Sequence, residues 1–370
     1  MKFTKTTLGE ISIGKGQYGI GASAVDYSED LYTYLRITDI NDDGTLNMSD
    51  LKSVDDEKAG QYVLKPNDIV FARTGNSTGR NYFYDGTDGI FVYAGFLIKF
   101  SIDPSKVNPK YIKYYCLSDE YKGWVQGHST GSTRGNINAQ TYAGMEITLP
   151  PREQQDKLVS LLENLELKRK NNAVINRNLS EQCDAIYRDQ FITKSDSSWT
   201  MGYLSDLITV KYGKDHKKLE DGDIPCYGSG GVMRYVEKPI YDHESVLIPR
   251  KGTLNNVMYV NVPFWSVDTM FYTMMKISNV AKFVYHYVKG KDLASMNAGS
   301  AVPSMTVDIL NAMELQIPSS TALAEFETIV QPLYKAMKDN EIENKKLAEL
   351  RDTLLPKLMS GELDVSDLDI

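Results

Sequence analysis

Two long stretches of the chain place apolar residues every three or four positions, a spacing that puts them on one face of a helix. The stretches cover residues 152–191 and 320–359. If Leu158 is position a of a heptad, the a positions are Leu158, Leu165, Asn172, Leu179 and Ile186 in the first stretch, and Phe326, Leu333, Asn340, Leu347 and Leu354 in the second. The d positions then include Leu161, Ile175, Ile329, Ala336 and Leu350. This pattern predicts two long helices that pair as an antiparallel coiled coil.

The second half of the chain repeats the first. At an offset of 168 residues, matches recur without a gap, among them Met145 with Met313, Pro150 with Pro318, Leu165 with Leu333 and Glu181 with Glu349. Matches that share one offset indicate a duplication. Because the offset is a multiple of seven, both helices keep the same heptad frame.

Each predicted helix carries an asparagine at its middle a position. If the helices run antiparallel, Asn172 and Asn340 come close together halfway along the pair. A buried polar pair there costs stability but penalises slipped registers. We therefore predict that Asn172 and Asn340 set the helix register. The alternative is that both are partly solvated on imperfect amphipathic helices.

Each helix is preceded by short apolar runs separated by turns rich in Asn, Asp and Gly, a pattern typical of β-rich globules. The runs are YTYLRITDI (32–40), YVLKPNDIVFAR (62–73) and GIFVYAGFLIKF (89–100) in the first copy, and SVLIPRKG (245–252), NNVMYV (255–260) and DTMFYTMMKI (268–277) in the second. We predict globules over 1–150 and 193–318, helices over 151–192 and 319–360, and an acidic tail over 361–370. The predicted fold class is α+β, with a pseudo-two-fold internal repeat.

Composition narrows the class of protein. The 370 residues are 42% hydrophobic and 24% charged. No run of 18 apolar residues and no signal-peptide pattern occurs, so we expect a cytoplasmic protein without a membrane span. Three cysteines lie far apart (Cys116, Cys183 and Cys226), which suits reduced thiols, and the four His show no ligand spacing. We expect no metal site.

The stretch ISIGKGQYGIG (11–21) fits the G-x-G-x-x-G pattern of dinucleotide-binding loops, and Asp39 stands where such a unit wants an acid. That loop needs a full strand before it and a helix after it, whose N–H groups hold the phosphates. Only ISI precedes Gly14, and a β-rich run follows Gly19 closely. We therefore predict an exposed glycine-rich loop and no bound cofactor.

Catalytic motifs are incomplete. NVPF (261–264) lacks one proline of the N-P-P-[YFW] loop with which amino-methyltransferases hold a target amine. No G-x-S-x-G motif and no phosphate-binding P-loop occurs with supporting context. We expect a non-catalytic chain, with a standalone methyltransferase as the third-ranked reading.

The order of elements resembles the specificity subunits of type I restriction-modification systems over essentially the whole chain. LPPREQQDKLVSLLENLELK (149–168) and LRDTLLPKLMSGEL (350–363) are similar to the conserved regions of that family. Segments similar to its target-recognition domains are QYGIGASA (17–24), YLRITDI (34–40), IPCYGSGGV (224–232), VLIPRKGTLNNV (246–257) and PFWSVDTMFY (263–272). One departure is SSTAL at 319–323, where the first copy has PREQQ.

The resemblance implies two target-recognition domains, each reading one half of a bipartite double-stranded DNA target, with the helices as spacer. It also implies two copies of a DNA adenine methyltransferase subunit docked on the helices, and restriction and translocase subunits that complete a nuclease. Because the globules differ in sequence, we expect an asymmetric target. Two alternatives stay open: a type IIB-like system with a fused methylase-nuclease, and a non-DNA coiled-coil adaptor, which the net charge of −8 favours.

Side chains that read bases or hold phosphates are expected in loops rich in glycine and hydroxyl groups. The predicted DNA-binding residues are Lys15, Gln17, Tyr18, Arg73, Asn76, Arg80 and Arg134 in the first copy, and Lys214, His216, Lys217, Tyr227, Ser229, Arg234, Arg250, Lys251 and Asn255 in the second. The repeat supports one pair, since Arg73-Thr74-Gly75 and Arg250-Lys251-Gly252 each follow an apolar strand. The alternative for such an arginine is a solvated strand end.

Overall fold

The computed structural model describes residues 3–129, 136–296 and 304–365. Arg134 lies outside the described residues. The chain divides into two compact units, residues 1–171 with 343–370 and residues 172–342. Each unit holds one globule and part of both long helices. The predicted α+β architecture with an internal repeat is confirmed.

The first unit contains three small sheets and short helices. Its strands are β1 (Thr4–Thr7), β2 (Gln17–Tyr18), β3 (Ala24–Asp26), β4 (Tyr32–Leu35), β5 (Lys52–Val54), β6 (Asp68–Ala72), β7 (Asn81–Tyr84), β8 (Phe91–Tyr93), β9 (Leu97–Ser101) and β10 (Glu146–Leu149). Its helices are α1 (Pro109–Tyr115), α2 (Asp119–Ser129) and α3 (Ala139–Ala143), followed by the start of α4 (Arg152–Arg188).

The core of this globule forms around β6. The strand order β2-β9-β6-β7 places β6 inside its sheet, which explains why all five residues of DIVFA are buried. A second sheet has the order β3-β5-β4-β8, with β4 and β8 parallel. The run GIFVYAGFLIKF forms two strands, β8 and β9, because the chain turns between Tyr93 and Leu97. In the run YTYLRITDI, a 3-10 turn at Ile37–Asp39 follows β4.

The second unit repeats this plan with different loops. Its strands are β11 (Thr200–Tyr203), β12 (Ile208–Tyr212), β13 (Asp221–Gly228), β14 (Gly231–Val236), β15 (Ser245–Pro249), β16 (Met258–Val260), β17 (Trp265–Ser266), β18 (Met270–Met275) and β19 (Glu314–Ile317). Its helices are α5 (Leu204–Leu207), α6 (Ala281–Lys289), α7 (Val307–Asn311) and the first part of α8 (Ser320–Ser360). The sheets run β12-β18-β15-β16 and β14-β13-β17.

Both globules close in the same way. The first strand pairs antiparallel with the strand that precedes the long helix, β1 with β10 and β11 with β19. A tyrosine hydroxyl then donates to the carbonyl at the start of that last strand, Tyr115 to Glu146 at 3.0 Å and Tyr287 to Glu314 at 2.8 Å. The duplication read from the sequence is thus repeated in the hydrogen bonding of the two globules.

The long helices α4 and α8 pack antiparallel within each unit. In the first unit, Leu158 and Leu162 near the start of α4 share a core with Leu355 and Leu358 near the end of α8. In the second unit, Tyr187 near the end of α4 shares a core with residues near the start of α8, including Phe326 and Val330. The predicted helix pairing is therefore confirmed, and burial of these faces supplies its main stabilisation.

The predicted d positions are wrong for much of the seam. Ile175, Ile329 and Leu350 are 45%, 46% and 45% exposed. The buried positions lie instead at a and four residues after it, as at Leu158 and Leu162. A stripe of a and d positions has alternating spacings of three and four residues. A stripe of a positions and the positions four residues after them has the same alternating spacings. Apolar residues occupy parts of both sets, so the sequence pattern left the choice open.

The asparagines of the helix pair take part in contacts that the sequence did not single out. Asn172 is buried. Asn340 Nδ2 donates to Asn176 Oδ1 at 2.8 Å, and Asn176 Nδ2 donates to the carbonyl of Met337 at 2.9 Å. The described hydrogen bond of Asn340 is therefore with Asn176, one helical turn beyond Asn172. The register role of Asn172 and Asn340 stays a prediction.

A buried polar cluster on α6 fixes the second globule to both helices. Lys282 is fully buried, and its Nζ lies 2.6 Å from Glu327 on α8 and 3.3 Å from Glu244. His286 Nδ1 lies 2.7 Å from Asp184 on α4, and its Nε2 lies 3.0 Å from the hydroxyl of Tyr334 on α8. Burial lowers the pKa of His286 to about 4, so the ring is neutral near pH 7.

The first globule is fixed to α4 by more exposed pairs. Lys110 Nζ lies 2.5 Å from Glu163, and Lys113 Nζ lies 2.6 Å from Glu166.

In the described part of the chain, no helix is both long and apolar enough to cross a membrane.

Candidate nucleic-acid interface

Arg73 and Arg250 occupy equivalent places in the two globules. Each follows an inner buried strand, β6 or β15. Two residues further on, a glycine takes a left-handed conformation, Gly75 at φ 75° and Gly252 at φ 84°. Glycine adopts this conformation without the steric cost that a Cβ would add. The tight turn after each strand leaves the arginine half-exposed at the strand end.

Each arginine stacks on a tyrosine of the same sheet, from the edge strand two positions away, β2 or β12. The guanidinium carbon of Arg73 lies 5.0 Å from the centre of the Tyr18 ring, and that of Arg250 lies 5.3 Å from the Tyr212 ring. The two tyrosines are 42% and 54% exposed. Cation–π contact of this kind restrains the long arginine side chain. Among the described residues, the buried Nε of Arg73 has no hydrogen-bond partner.

The glycine that follows each tyrosine is needed for packing. A Cβ on Gly19 would lie 2.2 Å from the carbonyl oxygen of Ala94, and one on Gly213 would lie 2.0 Å from that of Val267. These contacts are shorter than any side chain tolerates. Gly19 of the glycine-rich stretch therefore serves close strand packing, and β3 rather than a helix follows the stretch. Asp39 pairs with Arg36 at 2.6 Å, which explains it without a ribose.

A returning segment completes each arrangement. The backbone N–H of Ile137 donates to the carbonyl of Arg73, and that of Met305 donates to the carbonyl of Arg250, both at 2.9 Å. Thr74 forms an isolated antiparallel β-bridge with Asn136, and Lys251 forms one with Ser304. Each globule thus brings an arginine, a tyrosine and the start of the segment before α3 or α7 to one place. We call these sets the two arginine corners: Tyr18, Arg73 and Asn136, and Tyr212, Arg250 and Ser304.

Several other predicted residues have exposed side chains that no described contact engages. They are Lys15, Gln17, Asn76, Lys214, Lys217 and Lys251. The backbone of Lys214 is held in place, since its carbonyl accepts from the Trp265 indole at 3.0 Å. Ser229 lies directly against Gly252, beside the second arginine corner, and His216 is half-buried.

Four predicted residues are engaged within the chain. Arg80 binds Asp42 at 2.7 Å and the carbonyl of Ile40, and Arg234 binds Asp221 at 2.8 Å and the carbonyl of Leu219. Asn255 donates to Asp292 at 3.1 Å and accepts from the N–H of Ala294. Tyr227 lines a cavity with Tyr334 and Glu341 of α8, and burial raises its pKa. These contacts stabilise loops or the helix attachment.

Sequence reasoning missed Tyr212 and Asn136 of the arginine corners, and Phe96 beside the first of them. Tyr212 was not selected, although KYG at 211–213 matches QYG at 17–19. Phe96 lies in the turn after β8, its carbonyl accepts from the N–H of Arg73 at 3.0 Å, and its ring is exposed. In the second globule, Thr269 holds the same place, since its carbonyl accepts from the N–H of Arg250 at 2.9 Å.

The acidic charge of the chain lies apart from these residues in sequence. Residues 26–57 hold ten Asp and Glu against two Lys and Arg, a net of −8 that equals that of the whole chain. The remaining residues are therefore neutral in sum. Whole-chain charge says little here, because local basic groups attract phosphates.

The arrangement suits recognition rather than bond chemistry. Guanidinium groups at two arginine corners can donate to guanine edges or phosphates. Over residues 3–129, 136–296 and 304–365, no group of three His, Cys, Asp or Glu could hold a metal ion. The three cysteines are buried, and burial raises their thiol pKa values.

Comparison with known sequences supports a DNA-recognition role. A family model described as the type I restriction modification DNA specificity domain matches residues 3–179 and again residues 196–352. The two matches each include one arginine corner.

Two curated relatives match this chain over most of their length. The MjaIX type I specificity subunit of Methanocaldococcus jannaschii is 22% identical over 302 residues, covering 70% of this chain and 70% of that protein. The HindI type I specificity subunit of Haemophilus influenzae is 20% identical over an alignment of 461 positions, covering 94% and 99%. A solved type I S subunit from M. genitalium has a similar fold, with a TM-score of 0.59 at 19% identity and 96% coverage of each chain.

Proposed function

Because the chain belongs to the family of type I restriction modification DNA specificity domains, we propose that its two globules read the two unlike halves of a bipartite duplex target. The chain is a specificity subunit of such a system and is not its catalytic subunit. The observation that carries the proposal is the repeated stacking of an arginine on an exposed tyrosine, once in each globule.

The proposed target is asymmetric because the two arginine corners differ in the residues around them. Lys251 follows Arg250, whereas Thr74 follows Arg73. The exposed ring of Phe96 in the first globule is replaced by Thr269 in the second. Different side chains at one place select different base edges. Two globules with equal backbone plans and different contacts therefore suit two different half-sites.

Base reading is assigned first to Arg73 and Arg250, whose side chains are half-exposed and restrained by stacking on a tyrosine. Phosphate contact is assigned to the exposed side chains of Lys15, Gln17, Asn76, Lys214, Lys217 and Lys251, and to the half-buried Ser229. Arg134 remains a predicted contact outside the described residues. Arg80, Arg234, Asn255 and Tyr227 rank last, because contacts within the chain already engage them.

For the helices, we propose docking of two copies of a DNA adenine methyltransferase subunit, joined by restriction and translocase subunits. Support comes from exposed apolar residues outside the paired seam: Leu167, Val174, Ile175, Ile329, Ile342 and Leu350. The start of α8 packs without the charged residues that the first copy has in PREQQ. Leu323 there lies in the core, whereas Gln155 of α4 bonds to the N–H of Asn108 and the carbonyl of Pro150.

One experiment tests the target. Methylated adenines are mapped across the genome of a host that carries this chain and its methyltransferase, with an Arg250→Ala strain as comparison. The expected result is one motif with two unlike halves and a fixed gap, of which the Arg250→Ala strain relaxes one half. A palindromic motif would contradict the proposal.

A second experiment separates DNA reading from the adaptor alternative. The complex of chain and methyltransferase is titrated with random-sequence duplex over a salt series. A DNA reader loses affinity linearly in log salt, because bound phosphates release counterions. Salt-independent or undetectable binding favours the adaptor. A type IIB-like system would show the same salt dependence, but its partner would be one fused methylase-nuclease.

A further inference from the structure

The first globule contains an open groove that the proposed function does not use. Its volume is about 740 Å³, and segments near β4, β5 and β8 line it. Four of its lining side chains are large, apolar in part and exposed: Tyr27, Tyr32, Met48 and Ile90. Exposed apolar surface gathered in one concave place is characteristic of a binding site. We call this feature the acidic groove, for the reason given next.

Five carboxylates line the same groove: Glu29, Asp30, Asp55, Asp56 and Asp88. Over the described ranges, none of the five takes part in an ion pair. The neighbouring acids that do have basic partners lie outside the groove lining, namely Asp26 with Lys52, Asp39 with Arg36 and Asp42 with Arg80. The uncompensated negative charge of this segment is therefore concentrated in the groove.

The second globule has no matching concentration of charge. Residues 213–249, which occupy the same place between the tyrosine and the arginine, hold seven acidic and five basic residues. The acidic groove is thus a feature of one copy of the repeat. Reading a half-site, which both copies share, does not require it.

We propose that the acidic groove binds a basic, amphipathic segment of a partner protein, one per chain. Lysine or arginine side chains would neutralise the five carboxylates, while apolar side chains between them would cover Tyr27, Met48 and Ile90. DNA carries the wrong charge for this surface. A divalent cation alone lacks a ligand cluster there, since no such group occurs among the described residues. The inference does not depend on the DNA contacts assigned above.

The test uses the full chain and fluorescence anisotropy with a labelled peptide of alternating lysine and leucine. Companion peptides alternate lysine with glycine, or glutamate with leucine. The lysine–leucine peptide is expected to bind about tenfold more tightly than the lysine–glycine peptide, because apolar burial adds to charge attraction. The glutamate–leucine peptide is expected not to bind. Equal affinity for both lysine peptides would overturn the proposal, since charge alone would then explain binding.

Matched variants locate the site. Glu29→Gln/Asp30→Asn/Asp55→Asn removes three charges from the groove, and Asp119→Asn/Asp223→Asn/Glu325→Gln removes three exposed charges elsewhere. The first variant is expected to bind the lysine–leucine peptide about tenfold more weakly. The second is expected to lose less than twofold in affinity, because screened charges outside the contact matter little. Equal weakening would overturn the proposal.

Two further readouts complete the test. Ile90→Ser is expected to lower the affinity for the lysine–leucine peptide several-fold and to leave the affinity for the lysine–glycine peptide unchanged. If the groove variant instead strengthens duplex DNA binding far more than the control variant does, the groove faces DNA and the proposal fails. Dimerisation of the chain that the groove variant abolishes would assign the groove to a second copy, and would also overturn it.

Discussion

At the scale of single residues, the most informative contact is the stacking of Arg73 on Tyr18 and of Arg250 on Tyr212. An arginine in solution loses side-chain entropy when it docks on a base. A ring beneath the guanidinium removes part of that freedom before DNA arrives, so less is lost on binding. The same contact in two globules whose loops differ in length argues that it serves the shared function.

The first prediction concerns Arg250. In the complex with methyltransferase, Arg250→Ala is expected to weaken binding of the target duplex by about 1–3 kcal/mol and to relax specificity in one half-site. Arg234→Ala is the matched control, because its guanidinium is already bound to Asp221 and Leu219. Fluorescence anisotropy on matched and mismatched duplexes measures both. If Arg250→Ala binds all duplexes as the unaltered chain does, Arg250 does not read the target.

His286 is the residue with the clearest dependence on pH. Its pKa is about 4 in the folded chain because burial disfavours the charged ring, and about 6.5 when unfolded. The unfolded chain therefore binds more protons between these values, and stability falls as pH drops through that window. Asp184 on α4, Lys289 on α6 and Tyr334 on α8 face the ring.

The second prediction follows from this sign. Between about pH 6.5 and pH 5, the His286 contribution to unfolding free energy should fall by on the order of 2 kcal/mol. Urea unfolding at both pH values measures it, and His286→Gln should remove most of the fall. His243→Gln, at an exposed histidine, is the control and should keep it. A fall of the same size in His286→Gln would show that other groups cause it.

The arginine pair was predicted from the sequence, whereas Tyr212 was not, for a reason rooted in loop length. Equivalent residues lie 194 positions apart at the tyrosines, 177 at the arginines and 168 at the helices. A comparison of the sequence with itself at one gapless offset therefore aligns the helices and misaligns equivalent residues of the globules. Side-chain partners within the chain, such as Asp42 for Arg80, were also invisible, because loops distant in sequence supply them.

At the scale of elements, the two long helices were the most predictable part of the fold. The observed α4 and α8 begin at Arg152 and Ser320, where the apolar pattern begins. Local spacing specifies that a helix forms and roughly which stripe is apolar. It does not specify which side of the stripe meets the partner helix, since the globule also packs on it. Ile175 and Leu350 fell on the exposed side for that reason.

The third prediction separates the seam from the outer face. Leu162→Ala, in the seam, is expected to lower the free energy of unfolding by about 2–5 kcal/mol, because it leaves a cavity. Ile175→Ala is expected to change it by less than about 0.5 kcal/mol, since the side chain is exposed. Urea unfolding measures both.

A different variant, of exposed apolar residues on the helices, tests docking. Co-elution with the methyltransferase should weaken for Ile175→Asp/Ile329→Asp, although the chain stays folded. Undisturbed co-elution would place the docking surface elsewhere on the helices.

At the scale of the whole molecule, net charge misleads because it sums over regions with different roles. The segment 26–57 accounts for all of the −8. Attraction to DNA falls off within about 10 Å at ordinary salt, so a charge summed over the whole chain does not describe the field at one loop. The adaptor reading suggested by charge therefore loses its main support. In the second globule, Lys214, Lys217 and Lys251 are exposed, so we expect them to contribute to attraction of phosphates.

The fourth prediction distinguishes phosphate contacts from base contacts by their salt dependence. Each lysine that neutralises a phosphate releases counterions, so its removal should reduce the slope of log affinity against log salt by about 1. Lys214→Gln/Lys251→Gln should therefore weaken all duplexes alike and reduce that slope by about 2. The control Lys65→Gln/Lys122→Gln removes two exposed charges outside the arginine corners and should leave the slope unchanged. Arg250→Ala should change the preference between duplexes and not merely the slope. The two variants together therefore separate base contacts from phosphate contacts. A slope unchanged in Lys214→Gln/Lys251→Gln would remove both lysines from the interface, while leaving the assignment of Arg250 intact.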